Sequence, residues 1–213
     1  MKPYSVQLEI SGPYAMWTRP DAGDATRSYP APTYSAAKGL FESVLFLNSA
    51  EVKPVRVEIC APIRFHKYTT NYGGPLRKDK LFKSGDNYQL HLTVLVNVKY
   101  KIYAEVVSHP EGYHHARNPK KYSRREFEGG AARYKEKFGE RLKRGQYFHV
   151  PFLGLREFVP DYFGETRDET QRDKAITVPI PSMLFTVFKG HKGHVEAVYK
   201  QGLHITEGEL KYA

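Results

Sequence analysis

Three features of the sequence predict an α+β fold. Stretches of alternating apolar and polar residues, which read as strands, recur along most of the chain. Two segments read as helices, one apolar-striped near residue 40 and one strongly basic near residue 140. The order is strand, helix, strand, strand, helix, strand, then further strands. The first six elements match the split β-α-β plan called ferredoxin-like, which is also that of the RNA-recognition motif, whose open sheet face stacks bases. Residues 1 to 160 are expected to form that domain, with an inserted basic loop near 108 to 130. Residues 161 to 213 are expected to form a small antiparallel β region.

The first strand spans residues 4 to 10, where Val6, Leu8 and Ile10 face one way and Ser5, Gln7 and Glu9 the other. A loop rich in Gly, Pro, Asp and Ser follows to residue 32. Thr33 reads as the N-cap of a helix from residue 34 to about 47, because Ala37, Leu40, Phe41, Val44 and Leu45 recur at helical spacing. Val55, Val57 and Ile59 alternate with Arg56 and Glu58 to give a second strand. Residues 66 to 87 read as a basic, glycine-containing loop.

The clearest strand runs from Leu90 to Val106 with nine apolar residues on one face. It exceeds the usual strand length, so a bend or bulge is expected inside it. The basic helix occupies residues 131 to 144. Strands are expected at 147 to 158 and 175 to 188, then a hairpin of 194 to 200 and 203 to 205 turning at Gln201-Gly202.

The chain has 213 residues, enough to bury a core without staples, and a net charge of +10. Such a bias favours a nucleic-acid or acidic-surface partner. One cysteine, Cys60, excludes an internal disulfide and a multi-cysteine zinc site, and its strand context predicts a buried thiol. No signal peptide and no membrane span is visible, so a cytoplasmic protein with no membrane partner is expected.

Between Tyr113 and Arg144 there are eleven Lys or Arg against four Glu. An aromatic run containing Tyr147, Phe148 and Phe152 follows directly. Cations beside aromatic faces suit a polyanion with stackable bases, as in single-stranded or looped RNA. The plain alternative is a solvated helix beside an ordinary buried strand. Tyr14 and Trp17, in a Gly- and Pro-bounded loop, read either as RNA or partner contacts or as a plug at the end of the core. His114-His115, His191 and His194, and the carboxylates Asp161, Glu165, Asp168 and Glu169 read as surface groups. No metal site and no cofactor is expected.

Four motifs carry a family resemblance. They are Gly12 to Pro20, Ser28 to Ser43, Arg141 to Gln146, and Phe152 to Phe158. Together these resemble the Cas five family of CRISPR-associated proteins, subtype I-C branch, across roughly residues 3 to 160. The resemblance implies a subunit of a type I surveillance complex that holds the 5′ handle of the guide RNA. It further implies an endoribonuclease that cuts the repeat transcript without metal, the 2′-hydroxyl attacking the adjacent phosphate. Implied partners are repeat RNA, guide RNA and other complex subunits, with DNA as a further candidate.

Such chemistry needs a base, an acid and a cation over the phosphorane. The branch places a Tyr or His near the end of the first helix, where this chain has Leu45. It places Lys-His at the start of the second helix, where ungapped alignment from Gly145-Gln146 gives Arg133-Tyr134. Lys120-Lys121 is the alternative pair. The candidate catalytic residues are therefore Tyr134, Arg133, Lys120 and Lys121. The candidate RNA-binding residues are Tyr14, Trp17, Arg19, Lys38, Arg141, Lys143, Arg144 and Arg156. Three readings stand together: an architectural handle-binding subunit, a ribonuclease that makes the guide, and a generic basic RNA-binding protein.

Overall fold

A computed structural model describes residues 4–23, 25–47, 49–72, 88–108, 130–187 and 197–212. Among these, strand β1 (Tyr4–Ala15) precedes helix α1 (Tyr34–Val44) and strand β2 (Ala50–Ile59). Strands β3 (Phe65–Tyr72) and β4 (Tyr88–Ser108) follow, then helix α2 (Gly130–Lys143) and the short strand β5 (Tyr162–Gly164). Strands β6 (Val178–Thr186), β7 (Val198–Thr206) and β8 (Glu209–Lys211) complete the order.

The strands form one sheet in the order β5-β1-β4-β2-β8-β7-β6, with β3 pairing on β4. Its β5-β1-β4-β2 part is antiparallel throughout, as the ferredoxin-like plan requires. The C-terminal strands extend it, because β8 pairs with β2. Alternation sets the two faces. Val6, Leu8, Ile10, Tyr100, Ile102 and Ala104 are buried on the side that receives the helices. Phe41 and Val44 of α1 and Tyr134, Phe138 and Leu142 of α2 complete that core.

Helix α1 begins as expected: the Thr33 hydroxyl accepts the Ala36 N–H at 3.2 Å. It stops at Val44, three residues earlier than the apolar spacing predicts, with Leu45 already extended. The bend expected in the long strand is at Asn97, which takes φ +52°. N-terminal to it β4 pairs with β3, and C-terminal to it with β2.

Several elements differ from the sequence reading. Residues 65 to 72, all but Phe65 read from the sequence as loop, form β3. Residues 147 to 158 are not a strand but an irregular segment. The Leu153 carbonyl accepts the Met16 N–H at 2.8 Å, and Gly154 takes φ +94° so close to the chain at Met16 that a Cβ would lie 1.8 Å from the Met16 carbonyl oxygen. Only glycine permits that approach. The fourth ferredoxin-like strand is β5 instead. Strand β7 runs straight through Gln201, which pairs with Ser182, and the tight turn is Glu207-Gly208. Cys60 is half-buried, and burial pushes its thiol up to about 11. The expected insertion at 108 to 130 lies almost wholly outside the described residues, Lys120 and Lys121 included.

Candidate functional site

The C-terminal end of α1 is where distant parts of the chain meet. The final carbonyls of a helix have no partner within it and carry its negative pole. Arg141 Nε donates to the Val44 carbonyl at 2.8 Å, and the Tyr134 hydroxyl to the Leu45 carbonyl at 3.0 Å. The Phe148 and His149 N–H groups both donate to the Ser43 carbonyl, at 2.7 and 3.0 Å. These bonds end the helix at Val44 and fix the 147–158 segment against it.

Between α1 and that segment lies a cleft of about 870 Å³. Gly39, Glu42 and Ser43 form one wall, and Phe148, His149, Phe152 and Arg156 the other. Phe148 and Val150 project into solvent, 60% and 71% exposed. Arg144 and Arg156 are also exposed, with no ion pair among the described residues. Through Arg156 the cleft thus combines guanidinium charge with the uncovered rings of Phe148 and Phe152, the pairing that suits stacked bases on a phosphate backbone. Burial pushes the Glu42 carboxyl upward, against the opposing pull of Lys38.

The other candidates fall into three groups. Tyr134 is 1% exposed and stacks on Phe138 at 5.8 Å. Burial pushes its phenol far above the ordinary tyrosine range, so in this arrangement it cannot take a proton from a substrate. Trp17 is 2% exposed and donates Nε1–H to the Tyr100 hydroxyl at 3.3 Å, so it plugs the core and meets the cleft only at its floor. Several cations are engaged within the protein: Arg19 with Asp21, Lys38 with Glu51 at 3.0 Å, and Arg141 as the α1 cap. Lys143 is exposed and 3.9 Å from Glu165. Arg133 is half-buried in the first turn of α2. Tyr14 is exposed but packs against Phe158 and Tyr68, with ring centres 5.6 and 6.1 Å away. Sequence reasoning singled out Arg156 but neither His149 nor Glu42. A single histidine inside an aromatic run gave no signal of its own.

The sheet face opposite the helices is not an open stacking platform. Residues 165 to 173 cross it, held by the buried Glu9 carboxylate, which accepts from Arg167 Nη2 at 2.5 Å, Arg167 N–H at 2.9 Å and Thr170 Oγ1 at 2.8 Å. Lys101 Nζ donates to the Arg167 carbonyl at 2.6 Å. Arg56 pairs with Glu58 and Glu209 and lies 3.6 Å from the Tyr103 ring centre. Arg167 covers the Tyr162 ring at 3.8 Å. The aromatics of this face are therefore already occupied. No group of three His, Cys, Asp or Glu side chains able to hold a metal ion occurs among the described residues. No helix there is long and apolar enough to cross a membrane.

The family model described as CRISPR-associated protein (Cas_Cas5) matches residues 5–179, which include the whole cleft. The chain belongs to the Cas5 family of CRISPR-associated proteins. Its branch is Cas5d, subtype I-C, in agreement with the four sequence motifs. The CRISPR pre-crRNA endoribonuclease Cas5d of Thermus thermophilus is 30% identical over 198 residues, covering 92% of this Cas5-family chain and 79% of that protein. The protein of the same name from Mannheimia succiniciproducens is 27% identical over 173 residues, covering 74% and 71%. A solved CRISPR-associated protein superposes with a TM-score of 0.69 at 14% identity, covering 100% of this chain and 95% of that one. A chain of a CRISPR RNA-guided surveillance complex superposes with a TM-score of 0.53 at 11% identity, covering 98% and 92%. Those two likenesses show the shared ferredoxin-like fold.

Proposed function

We propose that this Cas5-family chain binds CRISPR repeat RNA, cuts it, and retains the 5′ handle of the resulting guide within a type I surveillance complex. The observation that carries the reading is the match to an endoribonuclease over 92% of the chain. The cleft supports it. Arg144 and Arg156 are available to phosphate, and Phe148 and Phe152 offer faces to unstacked bases. The RNA lies along the end of α1 and the 147–158 segment. Arg133, or Lys120 and Lys121 outside the described residues, supplies further positive charge for the RNA. Other complex subunits are the protein partners, DNA is a further ligand of the assembled complex, and the cytoplasm is where these meet.

Cleavage proceeds by attack of a ribose 2′-hydroxyl on the adjacent phosphate. It leaves a 2′,3′-cyclic phosphate and a 5′-hydroxyl. The cations nearest the phosphate stabilise the charge that builds on its oxygens in the transition state. The test is to incubate the purified protein with its cognate repeat RNA in EDTA. One RNA carries ribose at the cut site and a second carries deoxyribose there. Cleavage of the first alone supports the reading; cleavage of both, or of neither, contradicts the ribonuclease part. The buried Tyr134 favours a second reading, an architectural subunit that binds the handle without cutting. Tight binding with no cut ends is its signature.

A further inference from the structure

A proton acceptor is needed beside the phosphate, and Tyr134 is buried away from it. The walls of the cleft hold few candidates. The Ser35 hydroxyl donates to the Phe185 carbonyl at 2.8 Å, and the Ser43 hydroxyl to the Leu40 carbonyl at 2.7 Å. The Trp17 N–H is engaged with Tyr100. The Arg156 guanidinium has donors only and offers no proton acceptor. His149 and Glu42 remain. A Glu42 carboxylate would repel the phosphodiester anion as it enters the cleft, before any proton moves. An imidazole starts neutral and becomes a cation as it takes a proton, so its charge appears in step with that of the phosphorane.

The placement of His149 is equally specific. Its ring is exposed and stands edge-on to Phe148, with centres 4.4 Å apart. Its backbone is anchored to α1 through the Ser43 carbonyl at 3.0 Å. Arg156 lines the same cleft. The volume falls within the range, roughly 300–1,000 Å³, of sites that enclose a small ligand. A single extruded nucleotide is such a ligand, and Phe148 lies beside the imidazole to stack its base.

We propose that His149 accepts the 2′-hydroxyl proton of a nucleotide held in this cleft, with Arg156 carrying the charge of the scissile phosphate. The inference rests on the ribonuclease reading above. As the imidazole takes the proton, the 2′-oxygen bonds to phosphorus. The P–O5′ bond then breaks and its electron pair stays on the 5′-oxygen. That oxygen takes up a proton through solvent, and the imidazolium releases one, so no proton is consumed overall.

The experiment measures single-turnover cleavage of the repeat RNA, and RNA affinity, for the unaltered protein, His149→Gln, His149→Gly and Glu42→Gln. His149→Gln should cut about 100-fold or more slowly, the lower end of what a general base contributes. Its RNA affinity should change by less than threefold. Added imidazole should restore part of the rate of His149→Gly. Equal rates overturn the assignment, as does a loss matched by lost affinity or one that imidazole leaves unchanged. A loss in Glu42→Gln and not in His149→Gln overturns it in favour of the carboxylate. If the unaltered protein binds RNA and leaves it whole, the ribonuclease reading falls and the assignment with it. If the unaltered protein cuts and the histidine variants cut equally well, only the assignment falls.

Discussion

The Tyr134 hydroxyl donates to the Leu45 carbonyl at 3.0 Å inside the core, joining α2 to the residue that ends α1. The two positions that ungapped alignment sets against the branch's expected catalytic ones meet here at a helix terminus. Tyr134→Phe should therefore leave RNA cleavage and its pH profile unchanged. It should lower stability by about 1–3 kcal/mol, because a buried carbonyl loses its donor. Urea denaturation and a cleavage assay on the same preparation check both halves.

Glu9 gives the fold a dependence on acid. Burial alone would raise its carboxyl, but hydrogen bonds from Arg167 and Thr170 outweigh that and hold it below the ordinary glutamate range. A group whose folded value is depressed adds stability above its unfolded value and loses it as pH falls through the folded one. Stability should thus decline on acidification below the ordinary glutamate range. Glu9→Gln should flatten that decline and cost about 2 kcal/mol at pH 7, since Arg167 loses the facing charge and its backbone N–H loses its acceptor in a part-exposed site. Denaturation at pH 7 and pH 4 measures the difference.

Much of this frame was legible before any coordinates. The Thr33 cap, the apolar stripe of α1 and the alternation of β1 and β4 follow from side-chain period alone. A bend somewhere in β4 follows from its excess length, though its position at Asn97 does not. Strand β3 was not legible because its Phe-His-Lys-Tyr-Thr-Thr-Asn-Tyr sequence has no clear apolar face. The 147–158 segment misled in the opposite direction. Its Phe148, Val150 and Phe152 alternate like a strand, yet the chain must turn at Gly154 to pass Met16. The Gly- and Pro-bounded loop left both a contact role and a core plug open for Trp17, and bridges from Thr18 to Ser28 and from Arg27 to Thr93 tie that loop down on the side of the plug. Glu9 and Arg167 lie 158 residues apart, and nothing local marks their pairing. The cleft itself depends on three remote segments converging, so no window of sequence contains it.

The cations of the second helix and the following segment should separate by role. Arg144→Ala and Arg156→Ala should weaken repeat-RNA binding while leaving stability within about 0.5 kcal/mol, as expected for exposed side chains. Arg141→Ala should instead destabilise the fold by about 1–2 kcal/mol, because it uncovers the Val44 carbonyl. Binding of the unaltered protein should weaken with salt, the slope of log affinity on log salt being steeper than about −2. Fluorescence anisotropy across a salt series, beside thermal melts, distinguishes the two groups.

Gly154→Ala should disturb the cleft from behind. The added methyl would press on the Met16 carbonyl, and φ +94° is unfavourable for any residue with a Cβ. A loss of several kcal/mol is expected, or a shifted 148–156 segment with reduced RNA affinity. Gly39→Ala serves as the contrast, since a Cβ there meets nothing within 4 Å. Its stability should stay within about 1 kcal/mol of the unaltered protein.

Ultraviolet crosslinking of bound repeat RNA, with mass spectrometry of the modified peptides, tests most directly that RNA lies in the cleft between α1 and the 147–158 segment. Crosslinks are expected at Phe148, His149 and Phe152, and they should disappear in Arg144→Ala/Arg156→Ala. Crosslinks confined to the opposite sheet face, at Tyr103 or Tyr162, with none between residues 144 and 158, would contradict it.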